Sequence, residues 1–453
     1  MNNVIKGFLG FGAIAVCLAL VGVMQSWTLA FTVINLCLIS AVMALGVNIQ
    51  WGYAGLFNVG IAGFTALGGL AAMLVSTPPV VGAWKAGGLQ MGFSLLALLA
   101  VIAAMMFMRR LVPAGKLRNL FSVIIVVGGF FFIRYFYAPA VESIESFDSA
   151  RSGFLGGLGA PILFSWIVGG LFAAGAAWMI GKISLGLRSD YLAIATLGIS
   201  EIIIAIMKNE DWLSRGVKNV SGLPRPVPYE IELQKQSWFI DRVSAFYADS
   251  LPVDEVARTA ALQQKLVEAS SLFVKLCYTG LFLTVLVLLL WLAHRAQKAP
   301  WGRMMRAIRD NEDAANAMGK DVTRRHLQVF VVGSAVVGIA GAMLTTLEGQ
   351  LTPSTYNPLR YTFLIWAMVI IGGSGNNMGS VLGAFIVWFG WIQAEPLGQW
   401  VIDYGTAWMG DGNGLRTHML ENASHMRLVI MGTILLMVMR FSPRGLLPEN
   451  NRE

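Results

Sequence analysis

Long apolar runs, separated by short basic loops, constrain this chain more than any other feature. Residues 93–108, 119–138, 160–181 and 272–293 approach or reach the roughly 20 apolar residues that cross a hydrocarbon core at about 1.5 Å per residue. The strands of a membrane barrel would alternate apolar and polar positions, which these runs do not. The expected fold class is therefore all-α, a polytopic transmembrane helical bundle. Only 13% of the 453 residues are charged, against about 25% in an average soluble protein, too few to coat a soluble body of this size. Twelve candidate runs lie at 7–24, 28–47, 53–75, 93–108, 119–138, 160–181, 190–207, 272–294, 326–347, 360–372, 377–395 and 426–441. Several are short or glycine-broken, so 10 to 12 spans with Gly-broken helices are expected, in a single transmembrane domain over 1–453.

A net charge of +8 raises nucleic acid as a partner, but the basic residues sit in short loops between apolar runs, where topology accounts for them. Arg109, Arg110, Lys116 and Arg118, then Lys182 and Arg188, then the stretch from Arg295 to Arg325 place three loops on the cytoplasmic side. Residues 294–325 hold eight Lys or Arg against four acids, whereas 395–425 hold four acids and one Arg. With twelve spans both termini fall in the cytoplasm. The polar insertion at 208–271, with eight basic and nine acidic residues, is then extracytoplasmic, and its second half from about Val253 has the composition of a helix leading into the next span. The first run follows Lys6 but lacks a small-x-small cleavage site, which marks it as an uncleaved helix. Cys17, Cys37 and Cys277 lie in apolar stretches without a C-x-x-C pair and read as packing residues.

Chemistry of the enzymatic kind has no visible constellation. The chain contains no G-x-x-x-x-G-K-[ST], no H-E-x-x-H and no G-x-S-x-G, and its four histidines are scattered. His418 and His425 are seven apart, but solvation at an interface accounts for them better than a metal. No catalytic residue, metal site or cofactor is expected in this chain.

Two glycine clusters interrupt apolar segments. One carries Asn48, Gly52, Gly55, Asn58, Gly60 and Gly63, and the other Gly372, Gly373, Gly375, Asn376, Asn377 and Gly379. Unwound backbone survives in lipid only where protein or a water-filled cavity satisfies it, so these segments are candidates for lining a translocation pathway, against the plainer alternative of close helix packing. Their similar spacing hints at an internal repeat. Ser334, Gly338 and Ala342, at four-residue spacing, read as packing. Asp190 and Glu201 are eleven residues apart, three helical turns, and share a face with Ile194 and Leu197. A carboxylate at mid-membrane costs about 2.5–3.5 kcal/mol, so Glu201 is expected to face the bundle interior, either on the route or as a hydrogen bond between helices. Thr196 is counted with it as a pathway candidate.

Three segments together go beyond generic membrane helices: NIQWGYAGLFNVGIAGFTALGG at 48–69, LRSDYLAIATLGISEI at 187–202 and GRMMRAIRDNEDAANAMGKDVTRRHLQVF at 302–330, with a further echo in IWAMVIIGGSGNNMGSVLGA at 365–384. They resemble the branched-chain amino-acid ABC importer permeases, in particular the longer of the two permeases that pair in such importers, in order from about Ile39 to Leu447. The sequence departs from the family at Ser189, where glycine is usual, and at VSGLPRP in the insertion, which bears on substrate more than on transport class. The resemblance implies that Asp313, Ala314, Ala315 and Gly319, with neighbours Arg309 and Glu312, form the loop that couples to an ATPase. It also implies a separate nucleotide-binding ATPase subunit, a sister permease and a periplasmic substrate-binding protein as partners in a bacterial inner membrane, and transport of branched-chain amino acids by alternating access. A urea or short-amide importer permease is the alternative within that class. An ion-coupled secondary transporter or channel is the alternative outside it, and the intact coupling loop speaks against it.

Overall fold

A computed structural model describes residues 3–449 except 114, 150, 151, 251, 253 and 410–413. The first two and last four residues, to which the expectation of cytoplasmic termini applies, lie outside the described residues, as does Val253. Each of the twelve apolar runs is helical over most of its length, the run at 53–75 being interrupted at 55–60. The helices are α1 (Asn3–Met24), α2 (Trp27–Ala54), α3 (Ile61–Ser76), α4 (Val81–Leu111), α5 (Lys116–Ser146), α6 (Ile162–Ser184) and α7 (Ser189–Asn209) in the first half. In the second half, a short α8 (Ser237–Phe246) precedes α9 (Glu255–Lys298), and α10 (Pro300–Asp310) and α11 (Glu312–Ala317) lead to α12 (Val322–Glu348), α13 (Leu359–Gly372), α14 (Asn377–Gly405) and α15 (Met426–Phe441). Ten helices among the described residues are long and apolar enough to cross a membrane, and α3 and α13 are shorter apolar helices.

α2 is apolar on every side and accordingly central. It packs on α12, α14, α9, α13 and α1, while α12, α3 and α6 pack mutually beside it. Small residues permit the close approach: a Cβ on Gly46 would sit 2.7 Å from the Gly333 carbonyl oxygen, and Gly338 of the 334–338–342 stripe meets Gly169 and Gly68 backbone to backbone. α7 leans on α3, α15 on α14, and α4 pairs with α5 as an outer hairpin. α2 is mostly buried, while α5 is exposed along almost its whole length.

Two helix boundaries differ from those expected. The runs at 28–47 and 53–75 divide later, because α2 continues through Asn48, Gln50 and Gly52 and ends at Gly55, whose φ of 70° and N–H bonds to the Gln50 and Trp51 carbonyls form a left-handed cap. Polar side chains inside an apolar helix mimic a break in the sequence, but here tertiary partners satisfy them.

Loops gather at two ends of the bundle. At one, Pro79 bridges Gly156, Leu155 donates its N–H to the Trp212 carbonyl, and a two-residue antiparallel pairing joins β1 (Val220–Ser221) to β2 (Gln350–Leu351). Tyr356 lies there too, its phenol pKa pushed up by burial and its hydroxyl 2.9 Å from that of Thr345. At the other end lie residues 52–58, 297–309, 373–376 and 445–449, described below. α9 runs unbroken for 44 residues from its cap at Asp254, whose carboxylate accepts the Ala257 N–H at 3.1 Å. At about 1.5 Å per residue it is ~66 Å long, roughly twice a hydrocarbon core.

Candidate functional site

The two glycine clusters become two helix breaks that meet. Residues 55–60 separate the long α2 from the short α3, and 373–376 separate the short α13 from the long α14, so the order of long and short is reversed between them. Gly373 and Gly375 adopt φ of 115° and 83°, a region open to glycine at little cost.

Every break leaves backbone groups without helical partners, and side chains from across the fold take them up. For the first turn of α3, Thr196 accepts the Val59 N–H at 3.1 Å, Asn58 the Gly60 N–H at 2.9 Å, Thr362 the Ala62 N–H at 3.1 Å and Ser200 the Gly63 N–H at 2.7 Å. Asn58 in turn donates to Gln50 at 2.9 Å, Gln50 donates to the Phe330 carbonyl and to Ser334, and the Trp366 indole donates to the Asn58 carbonyl. At the second break, the Leu446 and Leu447 N–H groups donate to the Ile371 and Gly372 carbonyls at 2.9 Å, and Asn376 caps α14 by accepting from Met378 and Gly379.

Asn48 stitches the two breaks together. Its Oδ1 accepts the Gly375 N–H at 2.8 Å and its Nδ2 donates to Asn377 at 3.0 Å, and the Tyr53 hydroxyl donates to the same Asn377 oxygen at 2.6 Å. Asn48 and Asn58 are fully buried. Asn48, Gly52, Gly55, Asn58, Gly60, Thr196, Gly372, Gly373 and Gly375 thus form one packed floor at a single end of the bundle.

The proposed coupling residues adjoin that floor. Arg309, near the end of α10, donates from its guanidinium to the Gly52 carbonyl and, at 2.9 Å, to Glu449; Arg306 lies 3.9 Å from the same carboxylate. Asn311 caps α11 by accepting the Ala314 N–H at 2.9 Å. Glu312, Asp313 and Ala314 are exposed, Ala315 is buried, and Gly319 ends the turn with φ of 74° and no atom near its would-be Cβ. Of the six coupling candidates, Arg309 points inward while the others present or support an exposed turn.

Glu201 departs from expectation. With Tyr191, Ile194, Gly198 and Ala205 it lies on the exposed face of α7, because the opposite face carries Thr196 and Ser200, whose hydroxyls α3 requires. Spacing identifies residues that share a face, not which face turns inward. Sequence reasoning also missed Gln50, Tyr53, Ser200, Trp366 and Glu449. Three polar side chains within NIQWGY were a usable signal for the first two; nothing marked Glu449. Among the described residues there is no group of three or more potential metal ligands.

A family model described as branched-chain amino acid transport system / permease component matches residues 84–439. The chain is 26% identical over 285 residues to the high-affinity branched-chain amino acid transport system permease protein LivM of Escherichia coli strain K12, covering 62% of this chain and 56% of that protein. It is 24% identical over 343 residues to the probable branched-chain amino acid transport permease protein LivM of Methanocaldococcus jannaschii, covering 74% and 81%. A shorter stretch of 138 residues is 33% identical to the xylose transport system permease protein XylH of Escherichia coli strain K12, covering 29% and 34%. The chain thus spans a little over half the length of the Escherichia coli LivM relative. No solved structure matches it. With most of its length matched by that family model, this polytopic helical chain belongs to the family of branched-chain amino acid transport system permease components.

Proposed function

We propose that this chain is the transmembrane permease subunit of an ABC importer for branched-chain amino acids, working by alternating access. A separate ATPase subunit drives it, a sister permease completes the pathway, and a periplasmic binding protein delivers the substrate. The observation that carries this reading is the direct contact of Arg309 with the Gly52 carbonyl, three residues before the first helix break. A segment with an exposed, docking-competent turn at Glu312–Ala315 is thereby tied to the floor that closes one end of the bundle. Movement of α10–α11 on nucleotide binding would pull on Gly52 and, through Asn48, on Gly375. The basic loops support placing this end in the cytoplasm of a bacterial inner membrane, with both termini on that side and residues 208–271 outside.

The exposed face of α7 is where the sister permease fits. Glu201 has no partner within the described residues, and a carboxylate turned to lipid is costly, so protein or a water-filled path between two permeases covers it. The test is uptake into vesicles reconstituted with this chain, the sister permease, the ATPases and a binding protein, offered leucine, urea and xylose in parallel. ATP-dependent leucine uptake is expected. Uptake of urea or xylose alone would reassign the substrate, and uptake driven by an ion gradient without ATP would overturn the class.

A further inference from the structure

We infer that the groove between the N-terminal half of α1 and the α9–α10 corner is a binding site for an anionic phospholipid. The groove encloses about 1100 Å³, at or above the upper end of ordinary small-molecule pockets of about 300–1,000 Å³. One wall is apolar, formed by residues from Gly7 to Ala15, Phe8 and Phe11 among them, along about 12 Å of α1, a helix that is otherwise mostly exposed along the bundle. The other wall is basic and carries His294, Lys298, Arg303 and Arg306.

Among the described residues the charges in this groove are not balanced from within: the one carboxylate lining it, Glu449, is engaged by Arg309 at 2.9 Å and Arg306 at 3.9 Å. Lys298 has no acidic partner among the described residues, and Arg303 reaches only the Lys298 carbonyl, at 3.4 Å. Asn377, which also lines the groove, has a buried Nδ2 with no hydrogen-bond partner. An acyl chain against α1 with a headgroup of net negative charge beside Lys298 and Arg303 satisfies both walls at once; a soluble anion leaves the apolar wall bare, and a zwitterionic lipid brings its own ammonium to the basic one. Basic pockets at the ends of membrane helices have this chemistry.

The placement at the inner leaflet rests on the orientation proposed above. Binding in micelles does not depend on orientation, so failure of one is distinguishable from failure of the other. The full-length chain, purified in a neutral detergent, is titrated with phosphatidylglycerol, phosphatidylcholine and inorganic phosphate, with occupancy read by native mass spectrometry. Phosphatidylglycerol is expected to bind more tightly than phosphatidylcholine. The pair Lys298→Gln and Arg303→Gln should weaken it about 25-fold, roughly fivefold per residue, while phosphatidylcholine is unaffected. Gly12→Phe, at a position with no atom within 4 Å of its would-be Cβ, puts a ring on the apolar wall of the groove and should lower phosphatidylglycerol binding even if the charge variants fail to fold. Equal binding of the two lipids, undiminished phosphatidylglycerol binding in whichever variants fold, or inorganic phosphate binding as tightly as phosphatidylglycerol would each overturn the assignment.

Discussion

The Arg309 guanidinium donates a hydrogen bond to the carbonyl of Gly52, joining the segment before the exposed α11 turn to the end of the central helix. The same guanidinium holds Glu449, so one side chain links α10, α2 and the C-terminal tail. Arg309→Lys keeps a positive charge but is shorter and lacks the rigid guanidinium whose Nη1 donates to both acceptors. Loss of a charged hydrogen bond, about 1.5–3 kcal/mol, corresponds to a roughly tenfold or greater fall in coupled transport. ATPase turnover and uptake measured together in reconstituted vesicles check it. Uptake that stays proportional to turnover at the wild-type ratio would show that this link is not part of coupling.

Gly319 closes the α11 turn at φ of 74°, and open space surrounds it, so the backbone angle and not crowding makes it sensitive. Gly319→Val should cost about 1–3 kcal/mol of local strain, enough to disturb ATPase docking while the membrane helices stay folded. Asp313→Lys, on the exposed side of the same turn, should act through charge reversal at the docking surface. Both variants are expected to express normally and to lose stimulated ATPase activity. Normal transport by both would exclude this loop as the coupling element.

Asn48 is the buried stitch between the two breaks. Asn48→Leu preserves approximate volume but strands the Gly375 N–H, a cost of about 1–3 kcal/mol. A lowered thermal midpoint in detergent is expected, whereas Asn316→Ala, at an exposed position, should leave it unchanged. Equal midpoints for Asn48→Leu and the parent would mean that the stitch contributes nothing to stability.

Much of this architecture was legible in the sequence, and the reasons for the exceptions are physical. Apolar run length located the twelve apolar helices because lipid demands it. The positive φ at Gly319 suits a glycine placed just after a short helix. The ends of α2 and α3 were misplaced because Asn48 and Gln50 resemble a break until Asn377, Gly375, Phe330 and Ser334 are brought to them from some 280 to 330 residues away. The burial of Thr196 and exposure of Glu201 depended on which helix needed a hydroxyl, and that is a property of the fold.

Glu201→Lys should separate the two permeases. Nothing among the described residues bonds to Glu201, so the isolated chain is expected to elute as before, while a charge reversed at a protein interface can cost several kcal/mol through desolvation and loss of whatever group faces the carboxylate. Co-purification of the sister permease should therefore fall tenfold or more. Retention at the parental ratio would place the partner on another face.

Sidedness can be read with single cysteines. Ser237→Cys, exposed on α8 in the polar insertion, should react with an impermeant maleimide in intact cells, and Asn316→Cys only after permeabilisation. The reverse pattern would invert the topology.

The uninterrupted length of α9 has a mechanical consequence. It begins in the polar insertion at Glu255 and ends two residues before α10, with only Ala299 intervening between Lys298 and Pro300. A helix without a hinge transmits displacement as a lever does. Pivoting a ~66 Å rod by about 5° at one end moves the other by about 6 Å, close to one helical pitch of ~5.4 Å. A displacement at the Glu255 end of α9 is therefore carried to the Arg309 segment without unfolding anything between them.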